Sequence, residues 1–159
     1  MDGALATRSR GILTACYRAF MGSHSGYQAG LMSPHIDVCV VEDDDSVREA
    51  TRHLVHILGY TTASFATAED FLKSGRVENT ACLIVDMHLP GMSGAELQSR
   101  LILEGHRIPI IFMTAFDDEA ARARALTKGA IGYLAKPLHE QSLIACLDLA
   151  FQTLGNDRS

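Results

Sequence analysis

The sequence predicts a three-layer α/β domain: a five-stranded parallel sheet, doubly wound, in the strand order 2-1-3-4-5. Three observations predict it. Short apolar, β-branched runs recur along the chain, and each is followed by a segment of helical periodicity. Several of these runs end on a single polar residue, as strands buried on both faces do where they reach a sheet edge. The 159 residues, 47% hydrophobic and 21% charged, suit one domain with a core large enough to need no disulfide. Strands alternating with helices imply a parallel sheet, and right-handed crossovers leave few orders for it.

The elements follow in sequence. Ile36–Val41 is an apolar run read as strand 1, ending in Glu42-Asp43-Asp44-Asp45. Ser46-Val47-Arg48-Glu49 has the spacing of a capping box, Asp45 before it also reads as a helix cap, and Val47, Ala50, Leu54, Ile57 and Leu58 recur at helical spacing until Gly59. Residues 60–65 form strand 2, and a short helix spans Ala68–Lys73 with Thr67 or Ala68 at its start. Ala81–Val85 is strand 3, closed by Asp86, with Pro90-Gly91 as a loop signal. A second capping box, Ser93-Gly94-Ala95-Glu96, opens a helix that stops near Gly105. Strand 4, Pro109–Met113, ends at Thr114, and Asp117 caps a helix to about Thr127 with Gly129 behind it. Strand 5, Ala130–Leu134, leads into Ala135-Lys136-Pro137, and the last helix from His139 carries Leu143, Leu147, Phe151 and Leu154 on one face.

Charge and cysteine content narrow the function. Residues 1–35 carry Arg8, Arg10 and Arg18 against Asp2 alone, whereas residues 36–159 hold 11 Lys/Arg against 18 Asp/Glu. An acidic domain is poorly suited to bind nucleic acid directly, because that affinity rests on cations meeting phosphates. No stretch approaches the ~20 apolar residues of a membrane span. Cys16, Cys39, Cys82 and Cys146 lack metal-site spacing and read as small hydrophobes of a reducing, cytoplasmic compartment. Residues 1–35, rich in Gly, Ser, Ala and Arg, read as a flexible extension or a mis-called gene start; 11–20 has the composition of a short helix, and Met21 and Met32 are alternative starts. The folded domain is expected over 36–154, with 155–159 a short tail.

In sheets of this order, ligands sit beyond the carboxyl ends of the strands, beside strand 1. Strand 1 ends in Glu42-Asp43, strand 3 in Asp86, strand 4 in Thr114 and strand 5 in Lys136. Taken singly, an Asp at a strand end is commonly a turn former and a Lys-Pro pair means little. Their joint occurrence along one edge of one sheet is specific. Crowded carboxylates repel by roughly 1–4 kcal/mol per close pair, so they either shift a pKa or hold a cation. Hard oxygen donors without His nitrogen or sulfur favour Mg²⁺ or a similar ion, which serves as a clamp for a phosphoryl group. Lys136 supplies a further cation, the Thr114 hydroxyl a hydrogen bond, and Asp86, alone at the end of the central strand, a nucleophile for an aspartyl phosphate.

The motifs Val40-Val41-Glu42-Asp43-Asp44, Leu83–Gly94, Phe112-Met113-Thr114-Ala115 and Gly132–Pro137 resemble those of a receiver domain of a two-component response regulator, most similar to the FixJ-like branch. The resemblance covers 36–154 and implies a flavodoxin-like fold and a phosphorelay role. Asp86 matches the phosphoacceptor, served by a sensor histidine kinase or phosphotransfer protein. Asp43 and Asp86 would ligate Mg²⁺ (or Mn²⁺) by side chain and His88 by its backbone carbonyl. Glu42, where the family often has Asp, would act through a metal-bound water. Thr114 matches the switch hydroxyl, Lys136 the phosphate-pairing lysine, and Tyr133 the switch aromatic. The side chains of His88 and Phe116 are expected to face solvent and to tune dephosphorylation, and His53 and His56 to lie on the surface. Such a protein is no enzyme beyond catalysing its own phosphorylation and dephosphorylation. It signals through the face formed by helix 4, strand 5 and helix 5.

No DNA-binding domain is expected after the last helix, so output is expected through a separate protein or a homodimer on that face, or else the chain is expected to be the receiver fragment of a DNA-binding transcriptional regulator. Two other classes fit the residues less well. A metal-dependent phosphatase with an Asp nucleophile would place a second acid where His88 stands, after its first strand. A flavin binder would need a neutral phosphate loop in place of Glu42–Asp45.

Overall fold

The computed structural model describes residues 38–156. The extension expected over 1–35, its short helix and alternative starts, Cys16, positions 36–37 of the first strand, and residues 157–159 lie outside the described residues. Five strands and five helices alternate: β1 (Val38–Val41), α1 (Asp45–Ile57), β2 (Thr62–Phe65), α2 (Ala68–Lys73), β3 (Cys82–Asp86), α3 (Gly94–Leu103), β4 (Ile110–Thr114), α4 (Glu119–Thr127), β5 (Gly132–Ala135) and α5 (Glu140–Asn156). All four strand pairings are parallel, and the order is β2-β1-β3-β4-β5, as the sequence predicts.

Successive strand side chains point to opposite faces, so each apolar run feeds two cores. Cys39, Val41, Leu83, Val85 and Phe112 pack on one face with Phe71 of α2, Leu97 and Leu101 of α3 and Ala125 of α4. Val38, Val40, Cys82, Ile84, Ile111 and Met113 pack on the other with Val55 of α1 and Leu143, Leu147 and Ala150 of α5. Each central strand is therefore buried on both sides, and the three-layer arrangement follows. Cys39 and Cys82 are buried free thiols, and Cys146 is partly covered.

The helix starts correct the sequence reading in two places. The capping box expected at Ser46–Glu49 does not form, and Asp45, also expected as a cap, is the first residue of the helix. Asp44 caps α1 instead, accepting the Val47 N–H at 3.0 Å, and Glu49 pairs with Arg52. The reason lies upstream: Glu42 Oε1 accepts the Asp44 N–H at 3.1 Å, which holds Asp44 extended and starts the helix at Asp45. Likewise Asp118, not Asp117, caps α4, because Thr114 Oγ1 first engages Phe116 and the loop runs one residue further. The Ser93–Glu96 capping box and the Thr67 cap are both present. β5 begins at Gly132, two residues later than the apolar run suggests, because the Ala130 N–H still closes α4 onto the Ala125 carbonyl. Strand pairing thus takes over only at Ile131, whose N–H bonds the Ile110 carbonyl.

Candidate functional site

The carboxyl ends of β1, β3, β4 and β5 bring Glu42, Asp43, Asp86, Thr114 and Lys136 to one sheet edge. Carboxylate oxygens of Glu42, Asp43 and Asp86 lie within 4.8 Å of one another. Glu42 is fully buried and Asp86 is 5% exposed, whereas Asp43 faces solvent. Glu42 follows β1 immediately, its N–H bonded to the Phe65 carbonyl, and the Arg48 guanidinium of α1 holds the Glu42 carbonyl at 2.9 Å.

Lys136 answers this charge. Its Nζ stands 2.6 Å from Glu42 Oε2 and donates to Asp86 Oδ2 at 2.7 Å, while its own N–H bonds the Thr114 carbonyl at 2.7 Å. The other oxygen of Asp86, Oδ1, accepts the His88 N–H at 2.9 Å. The phosphoacceptor candidate is thereby fixed at both oxygens by two different elements. Burial pushes the Glu42 carboxyl up from its usual range, against the stabilising Lys136 contact and the Asp44 N–H. For Lys136 burial works against the charge, but Asp86 and Glu42 outweigh it and raise the ammonium pKa. One lysine against three carboxylates still leaves an excess of negative charge at the edge.

Thr114, 3% exposed, keeps its hydroxyl in a local turn: Oγ1 accepts the Phe116 N–H at 3.1 Å and donates to the Phe116 carbonyl at 3.2 Å. Tyr133 does not reach the carboxylates. It pairs in register with Phe112, the two rings 6.3 Å apart, and its buried hydroxyl faces the Thr114 side chain. Burial raises its phenol pKa, with the Thr114 side chain offsetting part of that shift. His88 and Phe116 are exposed and meet edge to face, centroids 5.1 Å apart. His53 and His56 lie exposed on α1.

The donor set suits a small divalent cation. Its side-chain donors are all oxygen, two buried and one open to solvent, with neither thiolate nor imidazole among them. Sequence reasoning overlooked Arg48, which braces Glu42, and Glu69, which reaches the β3–α3 loop from α2. Neither contact has a signature in the local sequence. Among the described residues, no helix is long and apolar enough to cross a membrane.

Comparison with known proteins places these features in context. The family model described as response regulator receiver domain matches residues 38–148. Nodulation protein W of Bradyrhizobium diazoefficiens is 38% identical over 107 residues, 67% of this chain and 47% of that protein. The response regulator protein TodT of Pseudomonas putida is 32% identical over 122 residues, 77% of this chain and 54% of its own. The transcriptional regulatory protein FixJ of Azorhizobium caulinodans is 32% identical over 116 residues, 73% and 55% of the two chains. The chain thus spans about half the length of the curated relatives it matches. Among solved structures, response regulator StyR superposes with a TM-score of 0.70 at 41% identity, over 77% of this chain and 62% of that one. The structure titled FixJ-N gives 0.66 at 27% identity, over 76% and 96%.

Proposed function

Since the chain belongs to the response regulator receiver domains of two-component systems, we propose that it is switched by phosphorylation of Asp86, with Mg²⁺ held beside that residue. The observation that carries this reading is the placement of Asp86. It is a buried carboxylate at the end of the central strand, paired to Lys136, with the oxygens of Glu42 and Asp43 within 4.8 Å.

Asp43 and Asp86 would hold the cation by side chain, His88 by its backbone carbonyl and Glu42 through a water. When bound, the ion supplies charge neutralisation for the transferring phosphoryl oxygens. An oxygen of Asp86 forms the new P–O bond as the P–N bond of a phosphohistidine donor breaks; the electron pair stays on the imidazole nitrogen, which takes a proton from solvent. The fixed geometry of Asp86 serves this step, since an oriented nucleophile meets a lower entropic barrier. Lys136, already 2.7 Å from Asp86, keeps one hand on the acceptor and pairs with the phosphoryl oxygens.

The new charge and its acceptor oxygens favour a second conformer. The Thr114 hydroxyl exchanges its Phe116 contacts for a phosphoryl oxygen, and the Tyr133 ring, whose buried hydroxyl faces that side chain, moves with it. The output surface is α4, β5 and α5. The partners on this reading are a sensor histidine kinase or phosphotransfer protein, and a separate output protein or a second copy of the chain. A second reading, the receiver portion of a DNA-binding regulator, draws support from relatives twice the matched length, one of them named a transcriptional regulatory protein.

The test is chemical. Incubation with acetyl phosphate and Mg²⁺ should add one hydroxylamine-labile phosphoryl group by intact mass, and Asp86→Asn should take none. A label on another residue overturns the reading, as does absence of both the label and a beryllofluoride complex.

A further inference from the structure

The β3–α3 loop, residues 87–93, carries the His88 carbonyl, so whatever fixes this loop bears on the acidic site. Three of its restraints are local: the His88 N–H on Asp86 Oδ1, the Gly94 N–H on the Met87 carbonyl and the Ser93 N–H on Glu96. Two come from other elements: the Met87 N–H bonds the Met113 carbonyl of β4 at 2.9 Å, at the start of the loop, and the second acts at its far end. Glu69, in the first turn of α2, accepts the Met92 N–H at 2.8 Å, although the two residues are 23 apart in sequence. The same oxygen lies 2.7 Å from where a Cβ on Gly91 would stand, and Gly91 has φ +72°. The carboxylate therefore rests against bare backbone that only glycine leaves open. The Met92 N–H holds the Glu69 carboxyl below its usual range, so the bond is charge-assisted. Beneath it Met87, Leu89 and Met92 share a core cluster with Ala68, Phe71 and Leu72 of α2.

We propose that Glu69 is a positioning residue for the acidic site, clamping the β3–α3 loop so that the His88 carbonyl is held ready to ligate a divalent cation alongside Asp43 and Asp86. This role rests on the reading of that site as a Mg²⁺ site. Without the clamp Gly91 regains its wide backbone freedom and the loop spreads over conformers in which the carbonyl is misplaced. Lost support behind a ligand lowers metal affinity without removing the ligand itself.

Two variants of the full chain test it, Glu69→Ala and Glu69→Gln, since the glutamine carbonyl still accepts the Met92 N–H. In Glu69→Ala, calorimetric titration with MgCl₂ should show affinity about tenfold weaker, at the lower end for outer-shell partners. In Glu69→Gln it should stay within about twofold of wild type, because the bond is retained. Hydrogen exchange at the Met92 amide, measured without metal, should quicken in Glu69→Ala and not in Glu69→Gln. Unchanged Mg²⁺ affinity in Glu69→Ala overturns the proposal, and so does equal weakening in both variants. A wild-type chain that binds no Mg²⁺, with the Met92 exchange pattern as expected, would overturn the reading of the acidic site and sustain the clamp.

Discussion

Lys136 stands between two buried carboxylates, and its removal separates the structural from the signalling role of the site. Breaking a buried ion pair by deleting one partner costs about 3–5 kcal/mol. Lys136 keeps 16% of its side chain exposed, so Lys136→Met should cost about 3 kcal/mol, the low end of that range. Urea unfolding measures it. Because a divalent cation can neutralise the stranded Glu42 and Asp86, Mg²⁺ should restore more stability to this variant than it adds to wild type. Equal Mg²⁺ effects would mean that the lysine and the cation do not share one charge balance. Gly94 makes a second case. A Cβ there would lie 2.4 Å from the Asp86 carbonyl oxygen, a backbone atom that cannot swing aside. Gly94→Ala should destabilise by about 1–3 kcal/mol, as overpacking does, and should slow labelling of Asp86 by acetyl phosphate. Normal labelling would show that the strand end tolerates the shift.

At the scale of the element, α4 differs from its neighbours. Of Glu119–Thr127 only Ala125 is buried, so little apolar surface holds this helix to the sheet. Two polar links from α3 pin its carboxyl end: Gln98 Nε2 donates to the Ala125 carbonyl at 3.1 Å, and Lys128 Nζ donates to Ser99 Oγ at 2.9 Å. Gln98 is itself 2% exposed, which makes that link costly to lose. Hydrogen exchange should therefore run faster in α4 than in α5, which buries Leu143, Leu147 and Ala150. Gln98→Ala should quicken it further across 119–127 while leaving β4 protected. An unchanged α4 rate would place the restraint elsewhere. A helix so loosely held is a suitable carrier for the output proposed above, because a modest local change suffices to shift it.

At the scale of the whole molecule, two cores back a single sheet, and their thiols report its integrity. Cys39 and Cys82 lie on opposite faces, both fully buried, and burial pushes both thiol pKa values up. Thiolate is therefore scarce while the sheet stands, and reagent has no path to it. Iodoacetamide at pH 8 should leave both residues unmodified in the native protein and alkylate both through the urea unfolding transition. Modification of one before the other would show that the two layers open separately. The same sheet accounts for the site: four strand ends reach one edge because all five strands run parallel, and no antiparallel arrangement would collect them there.

How much of this was legible in the sequence follows from the range of each interaction. Apolar runs, helical spacing and the Ser93–Glu96 box are local signals, and they determined the elements, their parallel order and the polar residues that end the strands. Glu42, Asp43, Asp86, Thr114 and Lys136 were visible for that reason: each interrupts or closes an apolar run. Even so, the α1 cap moved from Ser46 to Asp44, because the buried Glu42 carboxylate holds the Asp44 N–H and no propensity records that bond. Only the tertiary structure decided that Lys136 bridges two carboxylates, that Glu69 clamps a loop 23 residues away and that Gln98 pins α4. These contacts join elements brought together by the crossovers, and the distance between their partners along the chain leaves no periodicity from which to read them.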